Sequence, residues 1–149
     1  MNKFIKYFII MFSFMISFKS YSQDSITKIY NRVGKLSREG LLIKGNKEGV
    51  WKFYDDSLGY LFKKQFFKND YPDGEIIEYN SFGVIKLKGH FSEKIIKHKK
   101  NFDKKTDAYF EVDQSLPVGE WLYYDDSGKL IRKETYNNKG KLLKRQIIK

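Results

Sequence analysis

The chain has no cysteine, two prolines and two histidines among 149 residues. Without cysteine there is no disulfide framework, no thiolate metal site and no thiol nucleophile, so the fold must rest on packing alone. With only His90 and His98, a zinc site lacks the three or four convergent ligands it needs, even with Asp103 or Asp107 nearby. Arginine is scarce too: Arg32, Arg38, Arg132 and Arg145 stand in a chain whose basic charge is mostly lysine. Base-specific nucleic-acid readers lean on the bidentate guanidinium fork, so this composition suits diffuse attraction to polyanions better than sequence recognition. An AT-rich coding sequence would produce the same abundance of Lys, Asn, Ile, Phe and Tyr.

Long apolar runs are confined to the start. Lys3 and Lys6 precede the stretch YFIIMFSFMISF from Tyr7 to Phe18, and Ser20-Tyr21-Ser22 follows. A basic start, a short apolar core and small residues bracketing a bulky one make a signal peptide covering 1–22, with cleavage expected after Ser22. The run is nearer a signal core than a bilayer span, so membrane association is expected only through an uncleaved segment, held by Lys19. The expected product is exported, periplasmic or extracellular. Removing Lys3, Lys6 and Lys19 takes the net charge from +11 to +8.

What the rest has in plenty is repetition. GVWKFYDDSLG (Gly49 to Gly59), GEIIEYNSFG (Gly74 to Gly83) and GEWLYYDDSG (Gly119 to Gly128) share a glycine, a large apolar residue two on, a tyrosine five on, a polar turn and a second glycine. Self-similarity at this period marks units that bury apolar surface only against their neighbours. Alternation within each copy reads as strand, with Trp51 and Phe53 opposed to Val50, Lys52 and Tyr54, and Trp121 and Tyr123 opposed to Leu122 and Tyr124. Asp, Asn and Ser open each turn by bonding their own backbone, and glycine supplies the positive φ that closes it. Returning strands follow at 60–67, 84–91 and 129–136, and 141–148 supplies a terminal one. Second turns are expected at 44–49, 69–74 and 137–140. The fold class is therefore all-β, a single-layer antiparallel meander of successive hairpins. A lead-in at 23–37 precedes the repeat domain at 38–149, and Ile26, Ile29, Tyr30 and Val33 could trace a short helical face there.

The period breaks once. The leading glycines are 25 residues apart between Gly49 and Gly74 and 45 apart between Gly74 and Gly119, so a unit is expected to be missing or degraded in an insertion at 92–118. That segment carries Lys94, Lys97, Lys99, Lys100, Lys104 and Lys105, which as a displayed basic loop would meet an envelope polyanion, and as a solvated surface would do nothing in particular. Residues 109–112 are expected to return to the sheet.

The pattern G-x-W-x-x-Y-x-x-x-G, followed by an alternating strand and a further glycine turn, resembles the MORN-type repeat, in particular the bacterial YwqK-like antitoxin variant. Trp51, Tyr54, Trp121 and Tyr124 with their glycines carry the likeness, and Ile76 stands where tryptophan is usual. The resemblance implies a hairpin sheet serving as a binding or assembly platform with no enzyme activity of its own, and an antitoxin or immunity-like role by family name.

Asp55-Asp56 and Asp125-Asp126 lack the alternating acids and distal glutamate of a calcium loop and read as turn formers. Glu75, Glu78, Glu111 and Glu120 have nothing that sets two of them across a cleft. Neither a nucleophile motif nor a phosphate-binding glycine loop is present. The expectation is a non-enzymatic scaffold without cofactor or metal. It would bind a protein partner through an aromatic strip anchored by Trp51, Phe53, Trp121 and Tyr123, or alternatively an envelope polyanion through the insertion lysines.

Overall fold

The computed structural model describes residues 24–103 and 108–149, with side chains placed outside 93–114. Among the described residues nine strands form one antiparallel sheet in simple chain order: β1 (Ser25–Tyr30), β2 (Leu36–Ile43), β3 (Asn46–Tyr54), β4 (Leu61–Lys68), β5 (Tyr71–Tyr79), β6 (Ile85–Asp103), β7 (Ala108–Tyr124), β8 (Leu130–Tyr136) and β9 (Leu142–Ile147). Each strand pairs with its sequence neighbours, as a meander requires. No helix or second layer covers the sheet among the described residues. The signal segment lies outside them.

Turn chemistry fixes the hairpins. At one end of the sheet, Asn31, Asn80 and Asp125 each accept hydrogen bonds at Oδ1 from the backbone two and four residues on, while Gly34, Gly83 and Gly128 close the turns at φ 79°, 79° and 87°. Asp55 does the same one residue differently, accepting from Ser57 and Leu58, because its turn holds the extra Leu58 before Gly59. The doubled aspartates have divided roles. The first caps its own turn, and the carbonyl of the second accepts the side-chain amide of the preceding turn, Asn31 to Asp56 at 3.2 Å and Asn80 to Asp126 at 3.3 Å.

At the other end the turn at 137–140 forms as expected, Asn137 Oδ1 accepting from Lys139 and Lys141 and Gly140 closing it at φ 70°, but two turns are tighter than the sequence suggests. Lys44-Gly45 and Asn69-Asp70 have positive φ at both central residues, as two-residue hairpins that match strand twist require. Asn46 to Gly49 and Tyr71 to Gly74, expected as turn, are therefore strand. Gly49, Gly74 and Gly119 sit at positive φ of 66°, 97° and 67° within their strands, beside register shifts against β2, β4 and β6. The repeated leading glycine marks a bulge.

Two further expectations are corrected. Ile26, Ile29 and Tyr30 lie on β1, paired with β2, because alternate residues of an extended edge satisfy backbone groups that an isolated short helix would leave open. Val33 is in the following turn. The lead-in thus belongs to the sheet. No unit is lost between β5 and β8 either: the additional residues lengthen β6 and β7, which stay paired from Leu87↔Tyr123 out to Asp103↔Ala108. The predicted basic loop is a long hairpin, and residues 109–112 return as expected on β7.

Candidate functional site: the tryptophan face

Every strand sends alternate side chains to the same face, and the register aligns them in rows across the sheet. One row begins at Gly40 and passes through Trp51, Gln65, Ile76, Gly89, Trp121 and Glu134 to Arg145. It contains the best-buried side chains of the described chain: Trp51 at 0 % exposure, Glu134 at 2 % and Gln65 at 3 %, with Ile76 and Trp121 also buried. A single-layer sheet can bury a side chain only beneath its neighbours on the same face. The row does so by pairing large residues with small ones.

Gly40 and Gly89 make room for the indoles. A Cβ on Gly40 would fall 2.3 Å from Trp51 Cδ2, and one on Gly89 would fall 2.4 Å from Trp121 Cδ2. Neither glycine has the left-handed backbone of the turn glycines, so close approach of a ring is their reason. The middle unit keeps the balance by other means: Gln65 replaces the glycine and Ile76 the tryptophan, a larger floor under a smaller lid. The fourth pair is Glu134 and Arg145.

The two tryptophans are held differently. Trp51 Nε1 donates to the Leu41 carbonyl at 3.0 Å, and the Lys47 ammonium lies 5.8 Å from its ring and 5.3 Å from that of Phe67. Trp121 Nε1 is buried without an acceptor among the described residues, and its ring packs edge-on against Phe91 at 5.1 Å and Tyr136 at 6.1 Å.

Beside Trp121 lies a buried carboxylate. Glu134 accepts hydrogen bonds from the Tyr136 hydroxyl at 2.8 Å, the Tyr123 hydroxyl at 3.0 Å and Arg145 Nε at 2.6 Å. Arg132 completes the cluster as an ion pair at 3.5 Å, its guanidinium stacked 3.7 Å from the centre of the Tyr123 ring. Burial disfavours the charged carboxylate, but the donors from Tyr136, Tyr123 and Arg145 together outweigh it and hold Glu134 below the usual range. Burial, reinforced by the neighbouring carboxylate, pushes the Tyr136 phenol up to about 12. An ionised acid locked among neutral phenols and guanidinium groups is a structural brace, with no proton to give near neutrality.

A second row on this face runs parallel: Arg38, Phe53, Lys63, Glu78, Leu87, Tyr123, Arg132 and Ile147, one from each of β2 to β9. Its side chains are half-buried or exposed. Lys63 lies 4.5 Å from the Phe53 ring, and Leu87, Tyr123, Arg132 and Ile147 help line a shallow groove of about 460 Å³.

The predicted anchors are thus divided. Trp51 and Trp121 are core, because each indole fills the hollow above a glycine, and neither presents its face to a partner. Phe53 and Tyr123 are brought onto one row and remain accessible in part. Of the insertion lysines, Lys94, Lys97, Lys99 and Lys100 lie on β6, whereas Lys104 and Lys105 fall outside the described residues. His90 is exposed, paired in register with Glu75. Among the described residues no three His, Cys, Asp or Glu side chains converge as a metal site would need. The Glu134 cluster was not foreseen, and the signal for it was present: Glu134 follows Trp121 by 13 residues as Gln65 follows Trp51 by 14, the extra residue being Leu58 in the turn.

Residues 117–138 match the family model of the MORN repeat variant. This stretch is similar to a MORN-type repeat. It spans Trp121, the Asp125 turn and Glu134, which are the elements that build the hairpin just described. No curated protein matches the chain. A solved structure of a protein with unknown function from Bacteroides fragilis aligns over 85 % of this chain and 92 % of its own, at 13 % identity and a TM-score of 0.19.

Proposed function

We propose that this MORN-type repeat sheet is an exported, non-enzymatic scaffold that binds a protein partner on its tryptophan face. The observation that carries the reading is the second row, where Phe53, Leu87, Tyr123 and Ile147 stand half-buried or exposed between Lys63, Glu78 and Arg132, with no layer over them among the described residues. Large aromatic and arginine side chains around a desolvable centre are the composition of interface hot spots. The close-packed tryptophan row beside it supports the platform, so little ordering cost falls on association. Export is supported by the basic, apolar and small-residue segments of 1–22.

The test uses one triple variant. Replacing Phe53 and Tyr123 with alanine together with Leu87→Asp is expected to abolish cross-linking to the partner while the urea midpoint stays measurable and cooperative. Retained cross-linking would overturn the reading. Export is checked separately, by finding Gln23 as the first residue of protein recovered outside the cytoplasm.

A further inference from the structure

The other face has a row of its own, and it is basic. Lys28 on β1, Lys52 on β3, Lys64 on β4, Lys88 on β6 and Lys133 on β8 share one continuous cross-strand line, in which Glu39 on β2 is the one acid. At a strand spacing of about 4.8 Å the row is about 34 Å long, with lysines every one or two strands, or about 5–10 Å. These residues are scattered from 28 to 133 in the sequence, so only the register assembles them.

The charge is incompletely balanced. Glu39 serves both Lys52, at 3.1 Å, and Lys28, at 4.0 Å, while Lys133 pairs with Glu120 beside the row. Lys64 finds the Tyr79 ring at 5.6 Å, and Lys88 has no acidic partner among the described residues. Lys52 and Lys64 are directly opposed across β3 and β4, a like-charge pairing that destabilises a sheet. A local conflict kept at the centre of a well-formed sheet points to a use.

The surroundings indicate the ligand. Val50, Phe66 and Ile77 line a shallow groove of about 340 Å³ together with Lys52, Lys64 and the single acid Glu75, and Val50 and Phe66 are 54 % and 40 % exposed. We infer that this row is a binding track for a linear acidic polysaccharide, with carboxylate or sulfate groups on the lysines and the apolar face of a sugar ring on Phe66. Lysine ammoniums are point charges that meet such groups without the planar match arginine demands. Single-stranded nucleic acid fits less well, since it needs successive stacking rings, whereas the large exposed rings beside the track among the described residues, Tyr30 on β1 and Phe66 on β4, stand three strands apart. The track is on the face opposite to the proposed partner row and stands or falls independently of it.

The experiment follows labelled polygalacturonate and dextran sulfate binding to the full chain by fluorescence anisotropy, with neutral dextran and oligo-dT as comparisons. Binding to both acidic polymers and not to dextran, falling steeply with salt, is expected, and the Lys52→Gln, Lys64→Gln, Lys88→Gln triple variant should bind about tenfold or more weakly. The same three positions changed to arginine should retain binding, which shows that a loss in the glutamine variant is not misfolding. Lys97→Gln, Lys99→Gln, Lys100→Gln on the long strand β6 should stay within about twofold of the parent. Absence of binding at low salt, an equal loss in that β6 variant, or oligo-dT binding as tightly as the polysaccharides would each overturn the inference.

Discussion

Two hairpins with nearly the same sentence, GVWKFYDDSLG and GEWLYYDDSG, bury the same tryptophan over the same glycine and then diverge in how they secure it. Around Trp51 the fixing is by backbone: the indole N–H reaches the Leu41 carbonyl, and the residue across is the neutral Gln65. Around Trp121 the indole N–H has no acceptor among the described residues, and the hold comes from rings and from the charged Glu134 across the strand pair. Across from one indole stands a neutral amide and across from the other an ionised carboxylate. The lesson is that a repeat specifies shape, a glycine hollow and an aromatic lid, while leaving open the polar chemistry at its rim.

Removing the lids tests the shared part. Trp51→Ala and Trp121→Ala should each cost about 3–5 kcal/mol in urea unfolding, with Trp51 the larger because it is fully enclosed and hydrogen-bonded. Filling the hollows comes next. Gly40→Ala and Gly89→Ala place a methyl group against ring carbons that cannot move aside, and each should lose about 1–3 kcal/mol, equal in the two units if the hollow is the common element. A loss confined to one unit would break the equivalence.

Acidity should separate the units. Glu134 titrates below its ordinary 4.5 in the fold, so its contribution is complete above that pH and disappears as the pH falls through the lowered folded value. Glu134→Gln should flatten acid unfolding in that window, whereas Gln65→Ala should leave its shape unchanged. The alkaline side has the reverse sign. Tyr136 ionises at about 12 in the fold against 10.0 ordinarily, so the unfolded chain releases its proton first and stability falls between those values. Tyr136→Phe should remove that share of the decline, read by following unfolding between pH 9 and 12.

The smallest effect is the sharpest. Trp51→Phe loses the bond to Leu41 and should cost about 0.5–1.5 kcal/mol beyond the change in ring size, whereas Trp121→Phe removes a donor that has no acceptor and should show no such increment. Equal costs would mean that the two indoles are held alike after all.

Much of the fold was legible because turns and alternation are local. Asn80 or Asp125 followed by glycine three residues on is enough to place a hairpin, and Trp51 with Phe53 is enough to show which residues share a face. The site was less legible. Gly40 and Gly89 give no local signal for their role, because what demands them is a ring on the next strand. Trp51 and Trp121 look like exposed anchors until that neighbour is known. The break in period between Gly74 and Gly119 reads as a lost unit from spacing, since spacing cannot distinguish a missing strand pair from a lengthened one.

By itself the sequence determined an all-β hairpin repeat, because dihedral preferences of glycine, asparagine and aspartate and the two-residue period of a strand act within a few residues of each other. Tertiary structure alone decided which side chains meet. A cross-strand neighbour is set by register, and register depends on bulges at Gly49, Gly74 and Gly119 whose length no single strand reveals. That is why the glycine hollows, the Glu134 cluster and the line of lysines on the opposite face appear only once all nine strands are aligned.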